Sequence, residues 1–107
     1  MFEEKSWGTY KVIDIEEDNQ TVLLTMFPKH SMKYHSHHNR KEIWNIVSGK
    51  GKIVIDDMIN EVSSVDVISI DAGCRHTIIA DIVLRIIEVQ ICKNISVDDK
   101  KVFQLNN

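Results

Sequence analysis

The chain has 107 residues, 43% of them hydrophobic, and a formal net charge of -3. That length supports one core rather than two, so residues 1–107 read as a single domain. Its basic residues fall in pairs offset by acidic neighbours (Arg40-Lys41, Lys100-Lys101), which argues against nucleic acid as a partner, since phosphate binding needs clustered cations.

No apolar run approaches the roughly 18 residues that cross a bilayer, so no membrane span is expected. The longest, Ile78 to Ile91, is interrupted by Asp81, Arg85 and Glu88. The N-terminus Met1-Phe2-Glu3-Glu4-Lys5 is acidic rather than basic-then-apolar, and Cys74 and Cys92 lack a paired spacing. A cytoplasmic location with reduced thiols is expected.

In chain order the sequence predicts strands from end to end: Tyr10–Ile15, Thr21–Phe27, Met32–His37, Ile43–Val47, Gly51–Ile55, Met58–Val62, Val67–Ile70, His76–Ile79 and Val83–Ile91. Turn residues separate them: Glu16-Glu-Asp-Asn19, Pro28-Lys29, Ser48-Gly-Lys-Gly51, Asp56-Asp57 and Asp71-Ala-Gly73. No window sustains helical apolar spacing. The tail from Ser96 reads as a single helical turn or a loop before Phe103. Many short strands at even spacing predict an all-β sandwich or small barrel.

One stretch carries chemistry, His35-Ser36-His37-His38-Asn39-Arg40-Lys41-Glu42. Residues at i and i+2 of a strand share a face, so His35 and His37 point the same way. Glu42 follows in the next strand, and the Asp71-Ala-Gly73 turn delivers His76 at the start of another. Any one of these histidines alone would be an ordinary polar residue. Together His35, His37, Glu42 and His76 predict a metal site. Three imidazoles and a carboxylate suit a divalent transition metal (Zn, Mn, Fe, Ni or Co) rather than Mg or Ca. A structural zinc site would more often use cysteine, and Cys74 and Cys92 read as small core residues. His38 lies on the opposite face, and His30 has no assigned role.

The pattern His35-x-His37-x4-Glu42-x6-Gly49 followed by Gly73-x2-His76 resembles the two motifs of the cupin superfamily. The resemblance implies a single-domain double-stranded β-helix, or jelly-roll barrel. A narrower likeness covers nearly the whole chain. Trp7-Gly8-x-Tyr10, Arg40-x-Glu42-x-Trp44-x3-Ser48-Gly49, Ile87-Glu88-Val89-Gln90 and Asp98-Asp99 are similar to the type II mannose-6-phosphate isomerase family. That family is often the C-terminal part of mannose-1-phosphate guanylyltransferases. These 107 residues hold no phosphate-cradling glycine loop, so guanylyltransferase activity is not expected of them.

The resemblance implies metal-dependent aldose–ketose isomerisation of a sugar phosphate. The chain departs from the family at His35 (typically Gln), at Ile43 (typically His) and in the tail, where the usual arginine falls on Lys101 or Val102. Two alternatives stay open: a non-catalytic cupin that binds a sugar or small molecule, and an Fe(II) dioxygenase-type cupin.

Lys33 shares the parity of His35 and is a candidate acid or base; its other reading is an ammonium in water at the barrel mouth. Arg85 lies among apolar residues and is a candidate for gripping phosphate. If its parity faces outward, Glu88 and Gln90 line the pocket instead. Arg40 and Trp44 are candidate substrate contacts. Trp7 and Tyr10 read as packing residues or dimer contacts, and a homodimer is expected from the edges of a small sheet protein.

Overall fold

A computed structural model describes residues 1–93, 95–96 and 98–105. Among these residues eleven strands run in chain order: β1 Phe2–Lys5, β2 Gly8–Ile15, β3 Asn19–Met26, β4 His35–Ser36, β5 Lys41–Ser48, β6 Lys50–Ile55, β7 Met58–Ser63, β8 Val67–Ile70, β9 His76–Ala80, β10 Leu84–Ile91 and β11 Lys101–Val102. They form two antiparallel sheets, one ordered β1-β2-β3-β10-β5-β8 and the other β11-β4-β9-β6-β7. Among the described residues there is no helix, as expected for an all-β chain.

Alternation builds the core. In β3, Val22, Leu24 and Met26 are buried while the residues between them are only half-buried. Trp44 and Ile46 of β5 and Leu84 and Ile86 of β10 meet them from neighbouring strands. Ile53, Val62, Ile78 and Ala80 close the core from the second sheet. Burying these side chains supplies the main stabilisation of the fold, at about 25 cal/mol per Å² of apolar surface.

Register then sorts the interior by depth. Ile86 sits opposite Leu24 and Ile46, Glu88 opposite Val22 and Trp44, and Gln90 opposite Gln20 and Glu42. The barrel is therefore apolar toward Met26 and Leu84 and polar toward Gln20, Glu42 and Gln90. Chemistry belongs at the polar end.

Turn residues behave as their types predict. Asp56 and Asp57 both take positive φ (48° and 70°), making the two-residue connection between β6 and β7. Gly49 has φ +102°, and a Cβ there would stand 2.2 Å from the Val83 carbonyl oxygen, so only glycine fits between β5 and β6.

Three expectations change. The strand expected over Met32–His37 is reduced to His35–Ser36, with a lone bridge between Ser31 and Ile79. β1 and β11 are additional strands. In the tail, the Asp99 amide bonds the Ser96 carbonyl at 3.2 Å, and β11 follows that turn. Val97, part of the expected tail, lies outside the described residues, as do Asn94, Asn106 and Asn107.

Candidate metal centre

His35 in β4 and His76 in β9 are register partners, which sets their ring centroids 4.3 Å apart. His37 follows two residues on, with its ring 4.8 Å from that of His35 and 5.6 Å from that of His76. One ligand atom from each of the three lies within 4.8 Å of the others. Glu42, from β5 of the opposite sheet, brings Oε1 to 3.2 Å from His76 Nε2 and Oε2 to 3.4 Å from His37 Nε2. All four residues are buried. The four candidate ligands therefore converge.

The backbone fixes how the rings present themselves. Nδ1 of His35 faces the Lys33 carbonyl, Nδ1 of His37 the Asp99 carbonyl at 2.6 Å, and Nδ1 of His76 the Cys74 carbonyl at 3.0 Å. A carbonyl can only accept, so each Nδ1 carries a proton and each Nε2 is the ring atom left to face the cluster. Nε2 of His76 is fully buried and has no hydrogen-bond partner among the described residues. That orphaned nitrogen and the three-histidine donor set fit a divalent metal.

Charge follows burial. Desolvation, and then His76, push the His35 imidazole down to about 3. His37 is also lowered, by burial first and the Arg40 charge second. Burial opposes ionisation of Glu42, but its contacts with His76 and Glu88 and the Arg40 charge hold its carboxyl well below the usual carboxylate range. Glu88 moves the other way. Burial, and then the Glu42 charge and hydrogen bond, raise it far above that range. Two adjacent buried carboxyls thus take opposite states, Glu42 ionised and Glu88 protonated.

Around these groups lies a cavity of about 520 Å³. Arg40 donates from Nε to Glu42 Oε2 at 2.9 Å and from Nη2 to His37 Nε2 at 2.8 Å. That nitrogen has one lone pair, so this hydrogen bond and a metal bond there exclude each other. Trp44 Nε1 donates to Glu42 Oε1 at 3.0 Å. Gln90 Nε2 donates to Glu88 Oε1 at 3.0 Å and reaches Tyr10 Oη at 3.3 Å. Arg40, Trp44, Glu88 and Gln90 all line the cavity, and Lys33 lines it with its side chain exposed. His38 is exposed.

Arg85 requires a correction. Its side chain is exposed and absent from the cavity lining, because the inward parity of β10 belongs to Leu84, Ile86, Glu88 and Gln90. Tyr10 and Trp7, read from sequence as packing or dimer residues, line the cavity as well as touching the core. Gln20, Lys5 and Lys100 also line it and were missed. Gln20 could have been found, since it shares the parity of Val22, Leu24 and Met26.

Among solved structures, an oxalate decarboxylase from Bacillus subtilis superposes with a TM-score of 0.86 at 18% identity, covering 96% of this chain and 30% of that one. An uncharacterized conserved protein with a double-stranded β-helix domain from Klebsiella pneumoniae gives 0.82 at 13% identity, covering 95% and 89%. At such identities the likeness establishes the fold alone: a double-stranded β-helix, the cupin barrel.

Sequence relatives are more specific. The mannose-1-phosphate guanylyltransferase of Escherichia coli (strain K12) is 31% identical over 97 residues, which are 89% of this chain and 20% of that protein. The alginate biosynthesis protein AlgA of Pseudomonas putida is 29% identical over 102 residues, covering 94% and 21%. The chain spans about a fifth of the length of these relatives. The family described as "Mannose-6-phosphate isomerase C-terminal" matches residues 3–105, and with its motifs lying in a cupin barrel around one histidine cluster, the chain belongs to that family.

Proposed function

We propose that the protein is a metal-dependent isomerase interconverting an aldose phosphate and its ketose, mannose 6-phosphate being the first substrate to test. One observation carries the reading: three imidazoles and an ionised carboxylate converge beside a cavity that also holds a protonated carboxyl and has Lys5, Lys33, Arg40 and Lys100 in its lining. His35, His37, Glu42 and His76 would hold a divalent transition metal, which supplies Lewis acidity to the oxygens that gain charge during enolisation.

The remaining roles belong to the chain. Glu88 carries the proton. It is protonated first because it is buried and then because Glu42 is charged beside it, and that second contribution weakens when Glu42 shares its charge with a metal, so Glu88 can both release and regain a proton. Gln90 holds the Glu88 carboxyl in place. Trp44 offers a buried indole against the sugar, and Arg40, once replaced at His37 by the metal, presents its guanidinium to the cavity. Lys33, Lys5 and Lys100 line the same cavity, and we assign the phosphate to them. Lys33, exposed at the rim, suits that role better than the proton transfer expected of it from sequence.

The experiment is conversion of mannose 6-phosphate to fructose 6-phosphate by protein loaded separately with Zn, Mn, Fe, Ni or Co. Turnover with at least one metal supports the reading; metal-loaded protein that never turns over refutes it. A binding-only role is favoured by one feature: Lys101, which with Val102 is where the family's tail arginine falls, sets its ammonium over the Phe103 ring at 5.4 Å and is absent from the cavity lining. Oxygen consumption that strictly needs ferrous iron would identify a dioxygenase.

We also infer a cytoplasmic homodimer. β7 and β8 leave free sheet edges, and exposed Ile59, Val65 and Val67 lie on or between them. A second copy would cover both edges, giving a sedimentation mass about twice the 12.4 kDa of the chain. A monomer at micromolar concentration would reject the pairing.

A further inference from the structure

Two of the three imidazoles are oriented by carbonyls two residues upstream, at Lys33 and Cys74. His37 differs. Its Nδ1 donates to the carbonyl of Asp99, 62 residues away in sequence. The Asp99 side chain fixes that carbonyl in place: Oδ1 accepts from the His38 amide at 2.7 Å and Oδ2 from the Asn39 amide at 2.9 Å. Just beyond, β11 pairs Lys101 with Ser36 and Val102 with His35, and the Phe103 amide bonds the Tyr34 carbonyl at 2.8 Å. The tail is thus zipped along residues 34–39, the stretch that carries two of the metal ligands.

We propose that Asp99 is a positioning residue for His37, and that the tail it anchors is a clasp completing the metal site. The inference rests on the metal reading given above. Without the Asp99 carbonyl, the His37 Nδ1 proton has no acceptor and the ring is free to rotate or change tautomer, either of which spoils Nε2 as a ligand. Losing such an outer partner typically weakens metal affinity 10–100-fold. The coupling is reciprocal. If docking of the tail favours metal, metal must favour docking of the tail by the same factor.

The test titrates Zn(II) into the full chain and its variants and compares the absorption spectra of their Co(II) forms. Asp99→Ala is expected to weaken Zn(II) binding about 10–100-fold and to alter the Co(II) spectrum. Asp99→Asn, which keeps one acceptor oxygen, should fall between. Asp98→Ala is the control: Asp98 is exposed, and its amide bonds the Ser96 hydroxyl at 3.1 Å, a contact the substitution leaves in place. It should bind as the unaltered protein does.

Amide exchange of the unaltered protein gives a second measurement should Asp99→Ala fail to fold. Zn(II) is expected to slow exchange at His38, Asn39 and Phe103. Zn(II) affinity and Co(II) spectrum unchanged in Asp99→Ala would overturn the clasp, as would exchange at those amides indifferent to Zn(II). Unaltered protein that takes up neither Zn(II) nor Co(II) would overturn the metal reading itself.

Discussion

His35 shows how one residue serves the site at a cost to the fold. Its imidazole is 6% exposed and held near 3, so it stays a neutral ligand at physiological pH. An unfolded chain would protonate the same ring at its ordinary 6.5. Between those values the unfolded state binds the extra proton, and stability therefore falls as pH drops from 6.5 toward 3. Above 6.5 neither state binds it, and the effect vanishes. The slope is about 1.4 kcal/mol per pH unit for one proton. In chelator, urea unfolding at pH 7 and pH 5 should show the unaltered protein losing about 1–2 kcal/mol more than His35→Gln, which removes the titrating ring. Equal losses in both would mean that the His35 ring is not held neutral by its surroundings.

At the scale of elements, β10 separates what sequence could say from what it could not. Its inward residues run from Leu84 and Ile86 to Glu88 and Gln90, while Arg85 points outward. Truncating Ile86 to Ala should cost about 2–4 kcal/mol by opening a cavity in the apolar end. Arg85→Ala should lie within about 0.5 kcal/mol of the unaltered protein in the same denaturation assay. The opposite order would place the faces of β10 the other way round.

Parity was ambiguous in the sequence because both faces of this strand mix apolar and polar residues, the inner one for reasons of chemistry. Where the inner face is uniformly apolar, as over Val22, Leu24 and Met26 of β3, alternation alone was readable. That His35, His37, Glu42 and His76 gather was readable too, although β4 ends at Ser36 and His37 lies just beyond it. β1 and β11 were not, being short edge strands with little apolar surface to reveal them. Nor was the contribution of Asp99, because a backbone carbonyl leaves no mark in a sequence. The strand expected over Met32–His37 was shortened for a related reason. The Lys33 carbonyl faces the His35 ring, and the His38 and Asn39 amides bond the Asp99 carboxylate.

Across the whole molecule, the ligands do not come from one sheet. His35 and His76 belong to the sheet of β4 and β9, and Glu42 belongs to that of β5. A metal bound by all of them would fasten the two sheets together at the polar end of the barrel, where little apolar surface does so. An unfolded chain cannot assemble that arrangement, so binding adds to folding free energy by mass action. At a free metal concentration a thousand times Kd the gain is about 4 kcal/mol, and each kcal/mol raises Tm by roughly 4–8 °C in a domain of this size. Heating with and without the preferred metal should therefore separate the midpoints by roughly 15–30 °C, with chelator restoring the lower one. Glu42→Ala should lose more of this shift than any single histidine truncation, because it removes the one ligand contributed by the β5 sheet. Midpoints unmoved by Zn, Mn, Fe, Ni and Co alike would show that the histidine cluster is a packed polar core and not a metal centre.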